Sequence, residues 1–457
     1  MKRMAKTICA ISTPLAEGGI GVLRISGEDA ILIADRVFKS VSGTKLRDVK
    51  GYTALFGKVY NNNEVLDEAV ALVFRSPKSY TGENVVELSV HGGVFIQKAL
   101  LRALLENGAA LAEPGEFTKR AFLNGKLDLA QAESVAAIIS AGSEQALKAG
   151  LDAKDGTVSK KICEIRDILL DAASRVAAFS DYPDEEPSFS GIDSLGEKLD
   201  AAQKELDSLL LNYDSGKVYR EGVNTVIVGK PNVGKSTIMN LLSGTERSIV
   251  TATAGTTRDI VEETVTVDGI KLRLSDTAGL RSTLDEAEKI GVERALKKLE
   301  TAQLTLAVFD GSEPLSEDEK EFFEKLDKNN SIAVINKNDL ALKIDTEFFK
   351  ESGIKTVFIS AKTGTGAKQL AEAIVSVTVK NRLSSGEIVL TSERQRDCVL
   401  RAKKFCIDAK NSLLDGFTID AVGVCIDDSL NTLYELTGEK ATEQVTNEVF
   451  KKFCVGK

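Results

Sequence analysis

Gly229-Lys230-Pro231-Asn232-Val233-Gly234-Lys235-Ser236 is a phosphate-binding loop, and the residues around it set the fold of this part of the chain. Thr225-Val226-Ile227-Val228 reads as a buried strand, and Thr237–Leu242 opens a helix. In such a strand–loop–helix unit Gly229 and Gly234 let backbone N–H groups turn inward onto phosphates. Lys235 reaches the β- and γ-phosphates, and the Ser236 hydroxyl ligates magnesium. The remaining parts of a nucleotide site follow in order, each at the end of an apolar run. Val261–Val267 and Ile270–Leu274 flank Asp268-Gly269, a hairpin signal, and lead into Asp276-Thr277-Ala278-Gly279. A carboxylate at Asp276 suits the outer shell of magnesium, and Gly279 can offer its N–H to the γ-phosphate, so that this loop moves on hydrolysis. Leu304–Asp310 and Ser331–Ile335 are further strands, the second ending in Asn336-Lys337-Asn338-Asp339. An Asp carboxylate there accepts the N1–H and N2–H₂ of guanine, a donor pair that adenine lacks. Ser360-Ala361-Lys362, after a strand at Thr356–Ile359, closes over the base. The pattern predicts a GTP-binding α/β domain over 216–380.

The bulk composition excludes several other classes. The 457 residues are enough for two to four domains. A net charge of -9 and a pI near 5.2 exclude a broadly basic nucleic-acid-binding surface, so any RNA contact needs a local patch or a partner that supplies the charge. No apolar run approaches the ~20 residues of a membrane span, and the start Met1-Lys2-Arg3-Met4-Ala5-Lys6 is followed by no apolar signal region. The six cysteines form no Cys-x-x-Cys pair and there is one histidine, His91, so no zinc signature exists. These features predict a cytoplasmic protein, without membrane contact, carrying free thiols.

Residues 1–118 alternate β-like runs, such as Gly21–Ser26, Val70–Phe74 and Val85–Val90, with helical patterns at Ala30–Val37 and Val94–Glu106. They read as an α+β domain. From Pro114 onward Ala, Glu, Leu and Lys dominate, and apolar residues recur at helical spacing to about Tyr213, with a break near Tyr182–Pro187. Helical composition returns from Ser392 to the end. The expected layout is multidomain: an N-terminal α+β domain (1–118), a central all-α helical domain in two parts (119–215 and 381–457), and an α/β P-loop GTPase (Ras-like) domain inserted between them. Insertion is favoured over three separate beads because the last segment alone would make a thin core. Two features depart from a Ras-type site. Leu280 stands where such enzymes carry a water-orienting Gln, and no arginine finger is evident in cis.

Thr251-Ala252-Thr253-Ala254-Gly255-Thr256-Thr257-Arg258-Asp259 resembles the Thr-x-x-x-Gly-Thr-Thr-Arg-Asp loop of the MnmE (TrmE) tRNA-modification GTPases. The resemblance spans essentially the whole chain. It includes Gly19–Gly27, Tyr80–Leu88 with His91-Gly92-Gly93, Pro114–Thr118, Arg120–Glu133, and the tail Phe453-Cys454-Val455-Gly456-Lys457.

The resemblance implies a potassium-stimulated GTPase that works with a FAD-dependent partner of the MnmG (GidA) family, as a heterotetramer or larger. Together they add a carboxymethylaminomethyl or aminomethyl group at C5 of the wobble uridine of tRNA. The nucleotide would lie on Asn232–Thr237, Thr251–Thr257, Asp276–Gly279, Asn336, Lys337, Asp339 and Ser360–Lys362, with Val233, Ala252, Ala254, Gly255, Thr277, Ala278 and Ala361 among them. Ser236 and Thr257 would hold Mg²⁺. Potassium would replace the arginine finger when two GTPase domains meet, held by the Asn232 side chain and by Thr251, Thr253 and Thr256. That cation would supply the missing charge compensation. Glu288 would be the catalytic acid that orients water. The N-terminal domain would form a homodimer and bind 5-formyl- or methylene-tetrahydrofolate through Arg24, Glu87, Lys126 and Lys457. Cys454 would be a catalytic thiol, its pKa lowered by a neighbouring cation. Two other readings remain open on the residues themselves: a ribosome-assembly GTPase of the Era/Der type, and a non-catalytic GTP switch. Against the former, there is neither a second phosphate loop nor a KH-like Gly-x-x-Gly loop in a basic setting.

Overall fold

The computed structural model describes residues 6–62, 64–181, 189–244, 263–274, 302–379 and 387–456. These residues group into two compact units. One comprises Met1–Ala136, Ala153–Leu206 and Ser392–Lys457, the other Ala137–Asp152 and Asp207–Thr391.

The first unit begins with a seven-stranded sheet, in the order β3-β4-β5-β6-β2-β1-β7. Its strands are β1 (Ile8–Ile11), β2 (Gly18–Ser26), β3 (Phe38–Ser40), β4 (Thr53–Asn61), β5 (Glu64–Phe74), β6 (Val85–Gly92) and β7 (Ala110–Leu111). Helices α1 (Ala30–Val37) and α2 (Val94–Glu106) form over the residues their apolar spacing predicts. In α1 the buried set Ala30, Ile31, Ile33, Ala34 and Val37 makes a single apolar stripe. It packs with Leu23, Ile25, Val86, Leu88, Leu100 and Leu104 in one core. The antiparallel register of β2 with β6 sets Arg24 opposite Glu87, so two residues that each interrupt an apolar strand face one another.

The helices of this unit are α3 (Glu116–Leu123), most of α4 (Leu129–Ile139), α6 (Thr157–Asp181), the first part of α7 (Phe189–Glu221), α12 (Glu393–Leu414), α13 (Ile419–Thr437) and α14 (Glu443–Lys451). Residues far apart in sequence are fastened by ionic contacts. Arg394 donates to both carboxylate oxygens of Glu133, which also accepts from Gln395. Glu133 is nearly inaccessible, so removing either partner would leave a buried charge unpaired. The chain ends against the start of the sheet. The Ser12 hydroxyl donates to the Gly456 carbonyl, and the Gly115 N–H to the Cys454 carbonyl. Gly456 has φ +93, and a Cβ there would lie 2.3 Å from the Ile11 carbonyl oxygen, so only glycine fits this docking.

The second unit is built on a six-stranded sheet, order β13-β12-β11-β8-β10-β9. Its strands are β8 (Val223–Val228), β9 (Glu263–Val267), β10 (Ile270–Leu274), β11 (Leu304–Asp310), β12 (Ser331–Asn336) and β13 (Lys355–Phe358). All pairings are parallel except the β9–β10 hairpin, whose turn is Asp268-Gly269 as the sequence predicts. Most of α5 (Glu144–Lys154) and helices α8 (Lys235–Gly244), α9 (Glu317–Glu324), α10 (Thr346–Glu351) and α11 (Ala367–Thr378) belong with it. β11 and β12 are buried along nearly their whole length, as a parallel strand covered on both faces must be.

Two boundaries differ from the expected ones. Helix α7 runs on to Glu221 instead of ending near Tyr213. There Tyr213 is buried beneath the Arg220 guanidinium, and Arg220 and Asn212 donate to the carbonyls of Leu390 and Ile388. Residues 137–152, expected within the helical domain, group with the GTPase sheet. Ala146 packs with Tyr219, Val267 and Ile270, and Gly269 lies against Gln145.

Candidate GTP site

The phosphate loop connects β8 to α8 with three residues at positive φ: Gly229 (+149), Asn232 (+63) and Gly234 (+99). A Cβ on Gly229 would lie 2.2 Å from the Val308 carbonyl oxygen, and one on Gly234 would lie 2.2 Å from Asn336 Nδ2. Neither position admits a side chain. Asn232 is the non-glycine member of the set, and Asn is among the residues that tolerate the left-handed region best. Val233 is buried beneath the loop, whereas Asn232, Ser236 and Thr237 are exposed. Lys235 folds back, with Nζ donating to the Gly229 and Lys230 carbonyls at 2.7 Å each. Burial pushes its pKa down. A phosphate arriving at the loop would relieve that cost by supplying negative charge.

Asn336 does something the sequence reading did not assign to it. It is 3% exposed; its Nδ2 donates to the Val233 carbonyl at 2.7 Å and its Oδ1 accepts the Ala361 N–H at 3.0 Å. Its amide is thereby engaged on protein and ties the phosphate loop to the Ser360–Lys362 loop. Asp339 is exposed, and one carboxylate oxygen accepts the Ser360 hydroxyl at 2.7 Å. That hydrogen bond holds the carboxyl below the usual carboxylate range. A carboxylate has acceptor capacity left for further donors, which suits guanine N1–H and N2–H₂. Ser360 is itself fixed by a bridge to Thr365 and by the Gly364 N–H on its carbonyl. Lys337 stands at φ +64 and pairs with Asp310, a contact that sequence reading missed; the one signal was an acid closing the apolar run Leu304–Asp310.

The fit to nucleotide thus rests on a cradle that a Cβ would fill and on a donor–acceptor set of the right sign. Of the residues expected to hold magnesium, Ser236 lies among those described, on the first turn of α8, an oxygen donor suited to a hard cation. Of the potassium set, Asn232 does. Thr251–Thr257, Asp276–Gly279 and Glu288 lie outside the described residues, as does Lys457.

In the first unit the structure brings Arg24 and Glu87 together at 2.8 Å. The Arg24 guanidinium lies 5.5 Å from the Tyr80 ring centroid and 5.6 Å from that of Phe117. Burial raises the Tyr80 pKa, opposed by its bond with Thr118 and by the Arg24 charge. Lys126 Nζ donates to the Pro77 carbonyl, and its stem approaches Gly82, so the segment 77–82 neighbours both Lys126 and Arg24. Cys454 is exposed on the docked tail. His91 donates its backbone N–H to Asp67 and shares a ring hydrogen bond with it. Among the described residues no cluster of His, Cys, Asp and Glu suits a metal, and no helix is long and apolar enough to cross a membrane.

A mainly parallel sheet, a phosphate loop entering α8, and the Asn336–Asp339 segment at the end of β12 define a P-loop GTPase domain within a larger α+β and helical chain. The family profile described as "GTP-binding protein TrmE N-terminus" matches residues 7–126, and that described as "MnmE helical domain" matches 129–454. Proteins named "tRNA modification GTPase MnmE" match over almost the full length. That of Clostridioides difficile (strain 630) is 40% identical over 456 residues, 99% of each chain. Those of Caldicellulosiruptor saccharolyticus and Geobacillus kaustophilus are 38% and 40% identical, again over 99% of each chain. The chain belongs to the MnmE family of tRNA modification GTPases, and is a GTP hydrolase.

Proposed function

We propose that this chain hydrolyses GTP in a potassium-stimulated reaction that drives tRNA modification at C5 of the wobble uridine. In this reading it acts in the cytoplasm as a homodimer, with a FAD protein of the MnmG (GidA) family and a tetrahydrofolate one-carbon donor. The observation that carries the reading is Asn232: a side chain retained at a left-handed position of the phosphate loop, exposed beside the phosphate cradle. Backbone need alone would be met more cheaply by glycine. An amide oxygen there suits a monovalent cation, which together with magnesium would supply charge compensation at the β- and γ-phosphates. Lys235 would bind the phosphates, Ser236 and Thr257 would take magnesium, and Asp339 would select guanine. Thr251, Thr253 and Thr256 would complete the potassium shell, and Glu288 would orient the attacking water.

The pairing of Arg24 with Glu87, beside Tyr80 and Phe117, supports a folate site on the N-terminal sheet. A guanidinium and a carboxylate at one apolar-walled place offer donors and acceptors to a pterin, whose ring edge carries both. Lys126 and Lys457 would meet the folate carboxylates, and the docked tail supports Cys454 as a residue near that site.

The experiment is GTP turnover by the full-length protein in KCl and in NaCl, joined to nucleoside analysis of tRNA from cells lacking the gene. Faster turnover in KCl and loss of the C5-modified wobble uridine are expected. Turnover indifferent to the cation would overturn the potassium mechanism, and unchanged tRNA would overturn the modification role.

A further inference from the structure

Lys337 is held by a carboxylate that is itself held. Asp310, the last residue of β11, lies 2.5 Å from Lys337 Nζ, with side-chain exposures of 11% and 34%. The Asp310 carboxylate also accepts the Ser312 N–H at 2.9 Å and the Ser312 hydroxyl at 2.7 Å. Burial alone would raise its pKa, but the Lys337 ammonium and the two Ser312 donors outweigh it and hold the carboxyl below the usual range. The backbone beneath is equally fixed. The parallel register pairs Asp310 with Asn336, and the Gly311 N–H donates to the Asn336 carbonyl at 2.8 Å.

The lysine therefore leaves a left-handed backbone at φ +64 and crosses from the end of β12 to the end of β11. Its side chain lines a cavity of about 270 Å³ together with Asn232 and Val233 of the phosphate loop. The lysine stem stretched in this way stands beside the phosphate loop. An untethered lysine would lose that position to rotamer freedom. Ser312 holds the other carboxylate oxygen, Oδ1, which resists movement of Asp310 with a displaced lysine.

We infer that Asp310 is a positioning residue for guanine nucleotide binding: it touches no nucleotide itself, and acts by holding the Lys337 side chain in the orientation that walls the nucleoside. The inference rests on the reading of Asn336–Asp339 as the guanine-recognition segment, and the test separates the two.

GDP affinity is measured by titration calorimetry on the full-length protein, on Asp310→Asn, on Lys337→Ala and on the double variant. Asp310→Asn is expected to weaken GDP about tenfold, within the coupling range for residues in direct contact. On the Lys337→Ala background the same change is expected to have no further effect. A merely structural role, through the turn at Ser312, would weaken binding equally on both backgrounds, and that outcome would overturn the inference. So would unaltered affinity in Asp310→Asn while Lys337→Ala binds poorly. If Lys337→Ala itself binds GDP normally, the site reading fails instead. Ser312→Ala, which loosens the carboxylate and keeps the ion pair, covers the case in which Asp310→Asn does not fold. It is expected to weaken GDP two- to threefold on the Lys337 background only, and equal losses on both backgrounds refute the inference.

Discussion

Replacing Asn336 by Ala should unfold the GTPase unit more easily even when no nucleotide is present. The side chain makes two buried hydrogen bonds, to the Val233 carbonyl and from the Ala361 N–H, and both partner groups are buried. Truncation leaves one acceptor and one donor without a partner, each at a cost of about 1–3 kcal/mol. The sum is about 2–4 kcal/mol, allowing for some relaxation of Ala361. For a unit of this size each kcal/mol moves the midpoint by roughly 2–4 °C, so a fall of about 5–15 °C is expected. Asn336→Asp keeps the acceptor for Ala361 but turns a carboxylate oxygen toward the Val233 carbonyl, so it is expected to cost at least as much. The assay is differential scanning calorimetry of the full-length protein without nucleotide. The relevant transition is the one that rises when GDP is added, since a ligand stabilises only the unit that binds it. An Asn336→Ala protein whose transition stays within a degree of the parent would refute the claim that this amide is structural. Asn336 would then have to act on the nucleotide itself.

The lone histidine gives a clean titration. The hydrogen bond and charge of Asp67 raise the His91 pKa above the ordinary imidazole value. The folded state therefore binds this proton more tightly than the unfolded state. The contribution is fully present below the unfolded pKa of about 6.5 and is lost as pH rises through the folded pKa. A single His resonance in the NMR spectrum should titrate above that of an unfolded control, and Asp67→Asn should return it to the control value; an unshifted midpoint refutes the pairing. Thiol labelling should be equally selective. Cys454 is exposed, whereas burial pushes Cys9 up to about 12 and Cys398 up to about 11 and raises Cys406 as well. Cys163 and Cys425 are half-buried, so the fastest equivalent with a disulfide reagent at neutral pH is expected to be Cys454 and to be absent in Cys454→Ser. Fast labelling that survives the substitution would place the reactive thiol elsewhere.

Local signals carried far in this chain where each element's period and its packing agreed. Helices α1 and α2 follow their apolar stripes to the residue, and the Asp268-Gly269 turn joins β9 to β10 as its dipeptide predicts. Sequence reasoning stopped where contacts are distant. Asn212-Tyr213-Asp214-Ser215-Gly216 carries helix-breaking residues, yet α7 passes through it. The reason is Val389, whose side chain would lie 2.3 Å from a Cβ on residue 216, so glycine is needed there for close approach and not as a stop. In the same way the pairing of Ser12 with Gly456 spans nearly the whole chain and leaves no periodic trace. The Asp310–Lys337 pairing does not follow from sequence spacing, because strand order sets β11 beside β12; the acid closing Leu304–Asp310 marks only one partner.

The phosphate loop itself shows how sequence and structure divide the argument. From sequence, Gly229 and Gly234 are motif letters; in the structure both are excluded volume, one against Val308 and the other against Asn336. The tight seat of Gly234 on the Asn336 amide means that the loop, the guanine segment and the Ser360–Lys362 loop are one mechanical assembly. Asn232 is the exception in that assembly, exposed and free of such packing, at a backbone conformation that glycine would adopt with less strain. Asn tolerates this conformation, and its exposed amide leaves the side chain available for use. The described residues around it offer no protein group that the amide must satisfy, while the adjoining phosphate cradle gives its oxygen a place beside bound charge. That is the physical ground on which a cation, and with it the pairing of GTPase domains, becomes part of the proposed chemistry.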